Sequence, residues 1–308
     1  MIGKFIYEIA WIFKEMEHIM LKNNLKCIGK PEAYASIANK GMIVYAFLTF
    51  IVSLTSGILF RKNPYLPMYL CISICTCAFI IYLGMKDMSK DDIVKVKKKE
   101  KSKLKLSKII WVILLSYTLF YGCITIGQQN GKLLIQYELT DFYGIDKVSI
   151  YLGIIVAISR LSRLMATVIF GKVYDRIKDK SLIILVTGLL LAFVFMIAGF
   201  YIPNMILKIV LMSIGFCLIL AVRDPFRLYT NDIVLKRTVP EQQKRAISYV
   251  SFGRKLGTTM WGFIASAILL KWEIIHVIIA TGVLATIEVY VGLKLYSMLE
   301  INKLKNVI

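Results

Sequence analysis

The chain has 308 residues, of which 58% are hydrophobic and only 19% are charged, yet its formal net charge is +20 at pH 7. This apolar excess is larger than one or two soluble domains need for their cores. The positive charge lies between apolar runs, most densely in residues 86–108, and no segment is long enough to build a folded basic surface in water. Composition therefore argues against nucleic-acid binding and favours a membrane protein, in which basic loops flank apolar helices.

The sequence predicts that the first 34 residues form a cytoplasmic amphipathic segment. In Met1–Met20, large apolar residues recur at helical spacing, and the charged residues fall between them. Glu8, Glu15 and Glu17 lie where a signal peptide needs an uncharged core, so a signal peptide is not expected. Such a helix lies in the membrane interface or packs under a helical bundle.

Eight apolar runs follow, each about as long as the roughly 20 residues that a helix needs to cross a bilayer. Gly41–Phe60 and Ser181–Pro203 contain no ionisable side chain. The predicted crossings are Ala35–Phe60, Leu66–Met85, Ile109–Leu134, Ser149–Phe170, Ser181–Pro203, Met205–Leu220 with a polar extension toward Leu235, Ile247–Leu270 and Ile274–Leu295. The predicted domains are therefore residues 1–34, a pair of crossings in 35–85, a basic linker in 86–108 and six crossings in 109–308.

The connections between crossings differ in basicity on the two sides of the membrane. Residues 86–108, 172–180, 236–245 and 302–305 fall on one side and are rich in Lys or Arg. Residues 61–65, 141–147, 203–204 and 271–273 fall on the other side and are shorter or less basic. The positive-inside rule then predicts a plasma-membrane protein with both termini in the cytoplasm.

Several polar side chains fall within the apolar runs, where charge is costly and marks a pathway or a buried partner. Arg160 and Arg163 lie one turn apart near the middle of the fourth crossing, and Asp224 precedes Pro225 in the extension of the sixth. Gln128, Gln129 and Asn130 fall in the third crossing, and Glu288 falls in the last. These side chains line a hydrated path, form buried structural pairs, or extend to the interface. For Arg254 and Lys255 of the seventh crossing, we expect either a structural pair or extension to the interface.

No motif in the sequence favours an enzyme, a cofactor or a metal site. The chain lacks a P-loop, a dinucleotide-binding glycine pattern and a nucleophile–base arrangement. Cys71, Cys75 and Cys77 share one apolar run without a His or carboxylate, so we interpret them as reduced, small apolar residues.

The segment that follows the fourth crossing, Gly171-Lys-Val-Tyr-Asp175-Arg176-Ile-Lys-Asp-Lys180, resembles the G-x-x-x-D-[RK]-x-G-x-[RK] cytoplasmic loop of the major facilitator superfamily. The match is partial, because Lys178 stands where the motif has its second glycine. The resemblance implies that Asp175 faces a neighbouring helix N-terminus and that Gly171, Asp175 and Arg176 form a conformational gate. A carboxylate near a helix N-terminus gains about 0.3–1 kcal/mol.

The resemblance also implies an architecture of two six-helix halves. In this chain the motif joins the second and third crossings after the basic linker, so residues 109–308 correspond to a C-terminal half of six helices. Only two crossings precede the linker, where the family has six. This predicts a partner chain that supplies the missing helices, self-association, or a fragment without transport activity.

The function expected from the sequence is secondary active transport of a small solute by alternating access, coupled to protons or another ion. Gln128, Gln129, Asn130 and Arg160 are the predicted cavity-lining residues. Asp224 and Glu288 are the predicted coupling residues, because an intramembrane carboxylate can exchange charge for a proton. The alternative from another class is a non-transporting membrane scaffold or regulatory subunit.

Overall fold

A computed structural model describes residues 21, 24–25, 27–30, 33–63, 65–84, 108–177, 180–238 and 242–305. Every regular element within these ranges is a helix. In chain order they are α1 (Tyr34–Lys62), α2 (Leu66–Leu83), α3 (Lys108–Tyr143), α4 (Ile145–Ile177), α5 (Lys180–Tyr201), α6 (Met205–Arg237), α7 (Gln243–Leu269) and α8 (Ile274–Lys305). The predicted amphipathic run Met1–Met20 and the basic linker up to residue 107 lie outside the described residues.

Five helices are long and apolar enough to cross a membrane: α3, α5 and α6 over their whole length, α4 over Lys147–Tyr174, and α8 over Ile274–Ile301. In α1 and α2 the described apolar stretches, Ile43–Ser53 and Leu66–Ile81, are shorter than a full crossing. The all-helical fold and five candidate spans are thus established, and the other three predicted crossings stay predictions.

The predicted seventh crossing is helical, but it carries more charged residues than the apolar parts of the five candidate membrane-spanning helices. Helix α7 carries Lys244, Arg245, Arg254 and Lys255 in its N-terminal half. These cations lower the mean hydropathy of any crossing-length window that includes them. A membrane-spanning α7 therefore requires that the bundle accommodate Arg254 and Lys255.

The chain divides into two compact units. The two ends of α1 belong with α2 to one unit, and the middle of α1, Ala46–Ile58, belongs with α3–α8 to the other. The candidate site described below lies entirely within α3–α8.

Helix α3 packs against α7, α8, α6 and α4, and α5 packs mainly against α6 and α8. The core between these helices is built from fully buried large side chains. Phe120 of α3 stacks on Phe226 of α6 with ring centroids 3.6 Å apart, and Tyr117 stacks on the same ring at 6.0 Å. Burial of such rings supplies dispersion and packing that a lipid environment does not replace.

Small residues allow two helix pairs to approach closely. A Cβ placed on Gly215 of α6 would lie 2.5 Å from the carbonyl oxygen of Ala192 in α5. A Cβ placed on Gly257 of α7 would lie 2.5 Å from the carbonyl oxygen of Thr118 in α3. Glycine is required at both contacts, as is common where helices pack inside a membrane.

The connections at the predicted outer side are short. Gly144 alone separates α3 from α4; its φ of 74° is left-handed, and its N–H donates to the Thr140 carbonyl over 3.0 Å. Residues 202–204 separate α5 from α6, and the Asn204 side chain accepts from the Leu207 N–H over 3.1 Å to cap α6.

Helix α4 presents an apolar stripe to its surroundings. The exposed members recur every three or four residues and are Ile150, Ile154, Ile158, Leu161, Met165 and Ile169. A solvent-facing helix would carry polar residues at this spacing, so the stripe is typical of a helix that faces lipid or another apolar helix.

Three helices extend beyond the apolar limits of their predicted crossings. Helix α3 runs without a break through Gln128–Asn130 and ends at Tyr143, nine residues beyond the predicted Leu134. Helix α6 contains Pro225 and continues to Arg237. Helix α4 includes Gly171–Ile177, so this part of the gate motif is helical rather than a loop.

Candidate functional site

A buried ion pair links α4 to α6. The Arg163 Nε lies 2.5 Å from Asp224 Oδ2, and the two residues are each 4% exposed. Asp224 therefore contacts Arg163, which the sequence placed one turn from the predicted cavity residue Arg160. The two opposite charges compensate each other at a place where either one alone would be costly.

The neighbouring Arg223 points toward α3. Its Nη1 donates to Gln128 Oε1 over 3.4 Å, and its backbone carbonyl accepts from the Tyr121 hydroxyl, also over 3.4 Å. Gln128, one of the three predicted polar residues in α3, is thus hydrogen-bonded to α6. Arg223 is half-buried, so its guanidinium remains close to the edge of the bundle.

Arg254 of α7 lies on the other side of Tyr121. Its guanidinium carbon is 5.5 Å from the centre of the Tyr121 ring, a cation–π distance, and the residue is 7% exposed. Tyr117, one turn earlier in α3, lies 4.6 Å from Tyr121 between ring centres and within electrostatic range of both Arg254 and Arg227. We name Gln128, Tyr121, Arg223, Arg227 and Arg254 the arginine cluster.

Glu288 lies in the interior of the bundle on α8. It is fully buried, and its Oε1 accepts from the Ser116 hydroxyl of α3 over 2.6 Å. Its Oε2 has no hydrogen-bond partner among the described residues. Cys123 lies within electrostatic range, and its thiol contacts the Thr281 carbonyl at 3.8 Å. A buried carboxyl with one free oxygen can take up and release a proton without losing its Ser116 contact.

The remaining predicted cavity residues, Gln129, Asn130 and Arg160, differ in their burial. Gln129 is exposed. Asn130 is 6% exposed and its side-chain nitrogen donates to the Ile126 carbonyl of its own helix over 3.1 Å. Arg160 is half-buried on α4, one turn from Arg163, which forms the salt bridge to Asp224.

The first seven residues of the gate motif, Gly171–Ile177, form the last two turns of α4. Gly171 and Arg176 are exposed there, and the side chain of Asp175 lies outside the described part of the structure. Between them, the Tyr174 hydroxyl donates to Asp232 Oδ2 of α6 over 2.6 Å, and Lys236 Nζ lies 2.6 Å from the same oxygen. Tyr174 and Asp232 thus hold the predicted cytoplasmic ends of α4 and α6 together.

A cavity of about 570 Å³ lies between α4 and α6. It lies on the side of the Arg163–Asp224 pair that is farther from Tyr174 and Asp232. Its walls are mostly aliphatic and include Ile154 and Ile158 of α4 and Val210, Ile214 and Ala221 of α6. Ser162 and Cys217 also line it. Its lining residues include no charged side chain that would bind a charged solute.

The structure adds Ser116, Tyr121, Arg163, Tyr174 and Asp232 to the residues that the sequence selected. Arg163 carried a sequence signal, because it is a charge within an apolar run. The hydroxyl residues carried none, because Ser and Tyr are common on helices that face lipid or an interface. Within the described ranges, no group of three or more His, Cys, Asp and Glu side chains is placed to hold a metal ion.

Comparisons of the chain with protein-family models, curated proteins and solved structures found no match.

Proposed function

We propose that the chain is a membrane-embedded secondary transporter that moves a small solute by alternating access. The observation that carries the proposal is a set of buried charges inside a bundle of long apolar helices. Arg163, Asp224, Arg254 and Glu288 are each less than 8% exposed, and they lie on α4, α6, α7 and α8. Charges so placed are expensive in an apolar bundle and are typical of substrate and ion pathways.

In this proposal α3–α8 form one half of a transporter of the major facilitator type, and a second bundle forms the opposite wall. The solute site of such a transporter lies near the midplane between two halves that rock against each other. A partner chain or a second copy would supply the facing helices. The exposed apolar stripe of α4 supports this, because it offers a surface for lipid or for another bundle.

The two predicted coupling carboxylates receive different roles. Asp224 is held by Arg163 over 2.5 Å, so we assign this pair to the linkage of α4 and α6. Glu288 has no cationic partner among the salt bridges of the described residues and keeps one oxygen free, so we assign proton coupling to Glu288. Tyr174 and Asp232 would open and close the cytoplasmic end, in the place where the resemblance expected Asp175 and Arg176 to act.

Cysteine accessibility tests alternating access without knowledge of the solute. Gln128→Cys, in a chain whose six native cysteines are replaced, would be exposed to a small charged methanethiosulfonate reagent in right-side-out and in inside-out vesicles. A transporter predicts labelling from both sides, because the path opens alternately to each. Ile219→Cys, at a fully buried core position, is the matched control and should stay unlabelled.

Labelling of Gln128→Cys from one side only, or from neither, would contradict alternating access. The non-transporting scaffold would then account better for the molecule. Once a solute is found, Glu288→Gln should abolish the acceleration of uptake by a proton gradient in proteoliposomes. Glu273→Gln, on the exposed connection between α7 and α8, should leave that acceleration unchanged.

A further inference from the structure

The cavity between α4 and α6 is a recess with walls on three helices. Its lining lies in residues 151–162 of α4 and 206–221 of α6, and Leu139 of α3, which is 1% exposed, closes it toward the interior of the bundle. Among the lining residues, Ile158 and Val210 are 50% and 46% exposed, so the cavity also opens outward between the two helices. Since α4 and α6 are both candidate membrane spans, this opening faces the region where lipid is expected.

The surface of the cavity is apolar even where its lining includes Ser and Cys residues. The Ser162 hydroxyl donates to the Ile158 carbonyl of its own helix over 3.0 Å. Ser213 Oγ is buried, so it adds no polar surface to the cavity. Cys217 is a small, weakly polar residue that packs as an apolar one. A cavity with such walls stays dry and takes up apolar molecules.

The length and the two ends of the cavity match one leaflet of a bilayer. Residues 151–162 of α4 rise about 16 Å along the helix, and one leaflet contributes about 15 Å of hydrocarbon, half of the bilayer core. At the predicted outer end, Tyr143 and Tyr151 stack with ring centroids 4.4 Å apart, and tyrosine is enriched where membrane meets water. The other end, at Ser162 and Ala221, lies beside the buried ion pair.

The volume of the cavity calls for an occupant and limits what that occupant is. Protein interiors contain few voids larger than one water molecule, whereas 570 Å³ equals the volume of about 19 waters at roughly 30 Å³ each. A helix about 10 Å wide would occupy roughly 1,250 Å³ over a length of about 16 Å. Neither a partner helix nor a helix of a second copy therefore fits inside. A single hydrocarbon chain is one methylene group wide and can lie along the cavity.

We propose that this cavity binds one acyl chain of a membrane phospholipid, with the headgroup beside Tyr143 and Tyr151. Inside a bilayer the hydrophobic effect does not drive such binding, but a chain in the cavity gains dispersion contacts with walls on three helices. The Arg163–Asp224 pair joins α4 to α6 below the cavity, so the lipid chain fills the part where these helices are apart. The inference goes beyond the proposed function, because a transporter and a scaffold could both hold such a lipid.

Native mass spectrometry of the purified full chain in detergent micelles, titrated with phosphatidylcholine, tests the proposal. Saturable binding of one phosphatidylcholine per chain is expected. The double variant Ile158→Trp/Val210→Trp should weaken binding at least about tenfold, because both indoles take up space in the cavity. Ile169→Trp/Leu207→Trp is the matched control, since these residues are similarly exposed on the same two helices but lie outside the cavity lining. Circular dichroism and gel filtration of both variants check that they fold.

Photocrosslinking locates the bound lipid and its direction. A phosphatidylcholine with a diazirine near the ester should label the Tyr143 and Tyr151 end of the cavity. The same lipid with the diazirine at the end of the acyl chain should label the Ser162 and Ala221 end. Peptide mass spectrometry reads both patterns, and the reverse order would overturn the proposed orientation and with it the proposal.

Absence of saturable phosphatidylcholine binding, or binding that the Ile158→Trp/Val210→Trp variant leaves unchanged, would also overturn the proposal. Palmitate serves as a second probe: saturable binding of palmitate without binding of phosphatidylcholine would mean that the occupant is a free fatty acid. A dimer that only this variant disrupts, in the absence of lipid binding, would mean that the surface is a contact between copies. One-sided labelling of Gln128→Cys together with saturable lipid binding would discard transport alone and support this proposal.

Discussion

Arg163 and Asp224 are 61 residues apart in the chain and lie in contact, with the Arg163 Nε 2.5 Å from Asp224 Oδ2. Both are almost completely buried, so each depends on the other for compensation of its charge. This pair is the clearest link between α4 and α6 in the interior of the bundle.

Asp224→Ala should destabilise the chain by about 3–5 kcal/mol, because it leaves the Arg163 guanidinium buried without its carboxylate. The double variant Arg163→Met/Asp224→Leu should recover most of that loss, since it removes both charges and keeps the volume. Unfolding in mixed detergent–SDS micelles measures the difference. A double variant as unstable as Asp224→Ala would show that the pair is not what stabilises this position.

The Ser116–Glu288 hydrogen bond is expected to behave as a coupled pair. Ser116→Ala should cost about 1–3 kcal/mol, because it leaves a buried carboxyl oxygen without a donor. In a Glu288→Leu background the same substitution should cost much less, giving an interaction free energy of about 1 kcal/mol or more. The four chains of this cycle are compared by the same unfolding titration, and additive losses would contradict the contact.

Gly215→Ala should destabilise the contact of α5 with α6 by about 1–3 kcal/mol, since the added methyl meets the backbone oxygen of Ala192. Gly262→Ala in α7 is the matched control, because its Cβ would meet nothing within 4 Å. The control should be neutral or more stable by up to about 1 kcal/mol through the higher helix propensity of alanine. Equal effects of the two substitutions on unfolding would argue against the close approach.

Tyr174→Phe removes the hydroxyl that joins α4 to Asp232 of α6, while Lys236→Ala removes the other partner of that carboxylate. The first should cost about 0.5–1.5 kcal/mol. The second should cost less than about 0.5 kcal/mol, because the Lys236 side chain is 69% exposed and lies one turn along the same helix. If Tyr174 is part of a gate, Tyr174→Phe should also raise labelling of Gln128→Cys from the cytoplasmic side, and Lys236→Ala should not.

The predicted sidedness can be read with two single cysteines in the chain without native cysteines. Lys271→Cys, on the exposed connection between α7 and α8, should react with an impermeant maleimide in intact cells. Arg237→Cys, at the exposed end of α6, should react only after permeabilisation. The reverse pattern would place both predicted cytoplasmic termini on the outside.

The apolar runs were enough to predict where helices form, because length and the absence of charge are properties of one segment. Their ends were predicted less well, as α3 and α6 continue through polar residues that lie beyond the apolar part. The partner of Asp224 depends on helix rotation. Arg160 and Arg163 differ in direction by only about 60° around α4, so one sequence cannot choose between them.

The residues of the candidate site likewise include some that the sequence could identify and some that it could not. Gln128, Asp224 and Glu288 were visible because a polar residue in an apolar run is unusual, and the structure gives each a contact with another helix. Gln129 and Asn130 share that signal but point elsewhere, since successive residues on a helix are about 100° apart. Ser116 and Tyr121 gave no signal, because their role arises only from the helices that face them.

Pro225 follows Asp224 within α6 and has no N–H to donate. The carbonyl oxygen four residues earlier, on Ala221, therefore loses the donor that a regular helix would supply. Ala221 is the last residue of α6 that lines the aliphatic cavity, so the interrupted hydrogen bond lies at one end of that cavity, about one turn from the buried ion pair. Helix α6 thus has one backbone hydrogen bond fewer beside Asp224, where a helix that contains proline bends most easily.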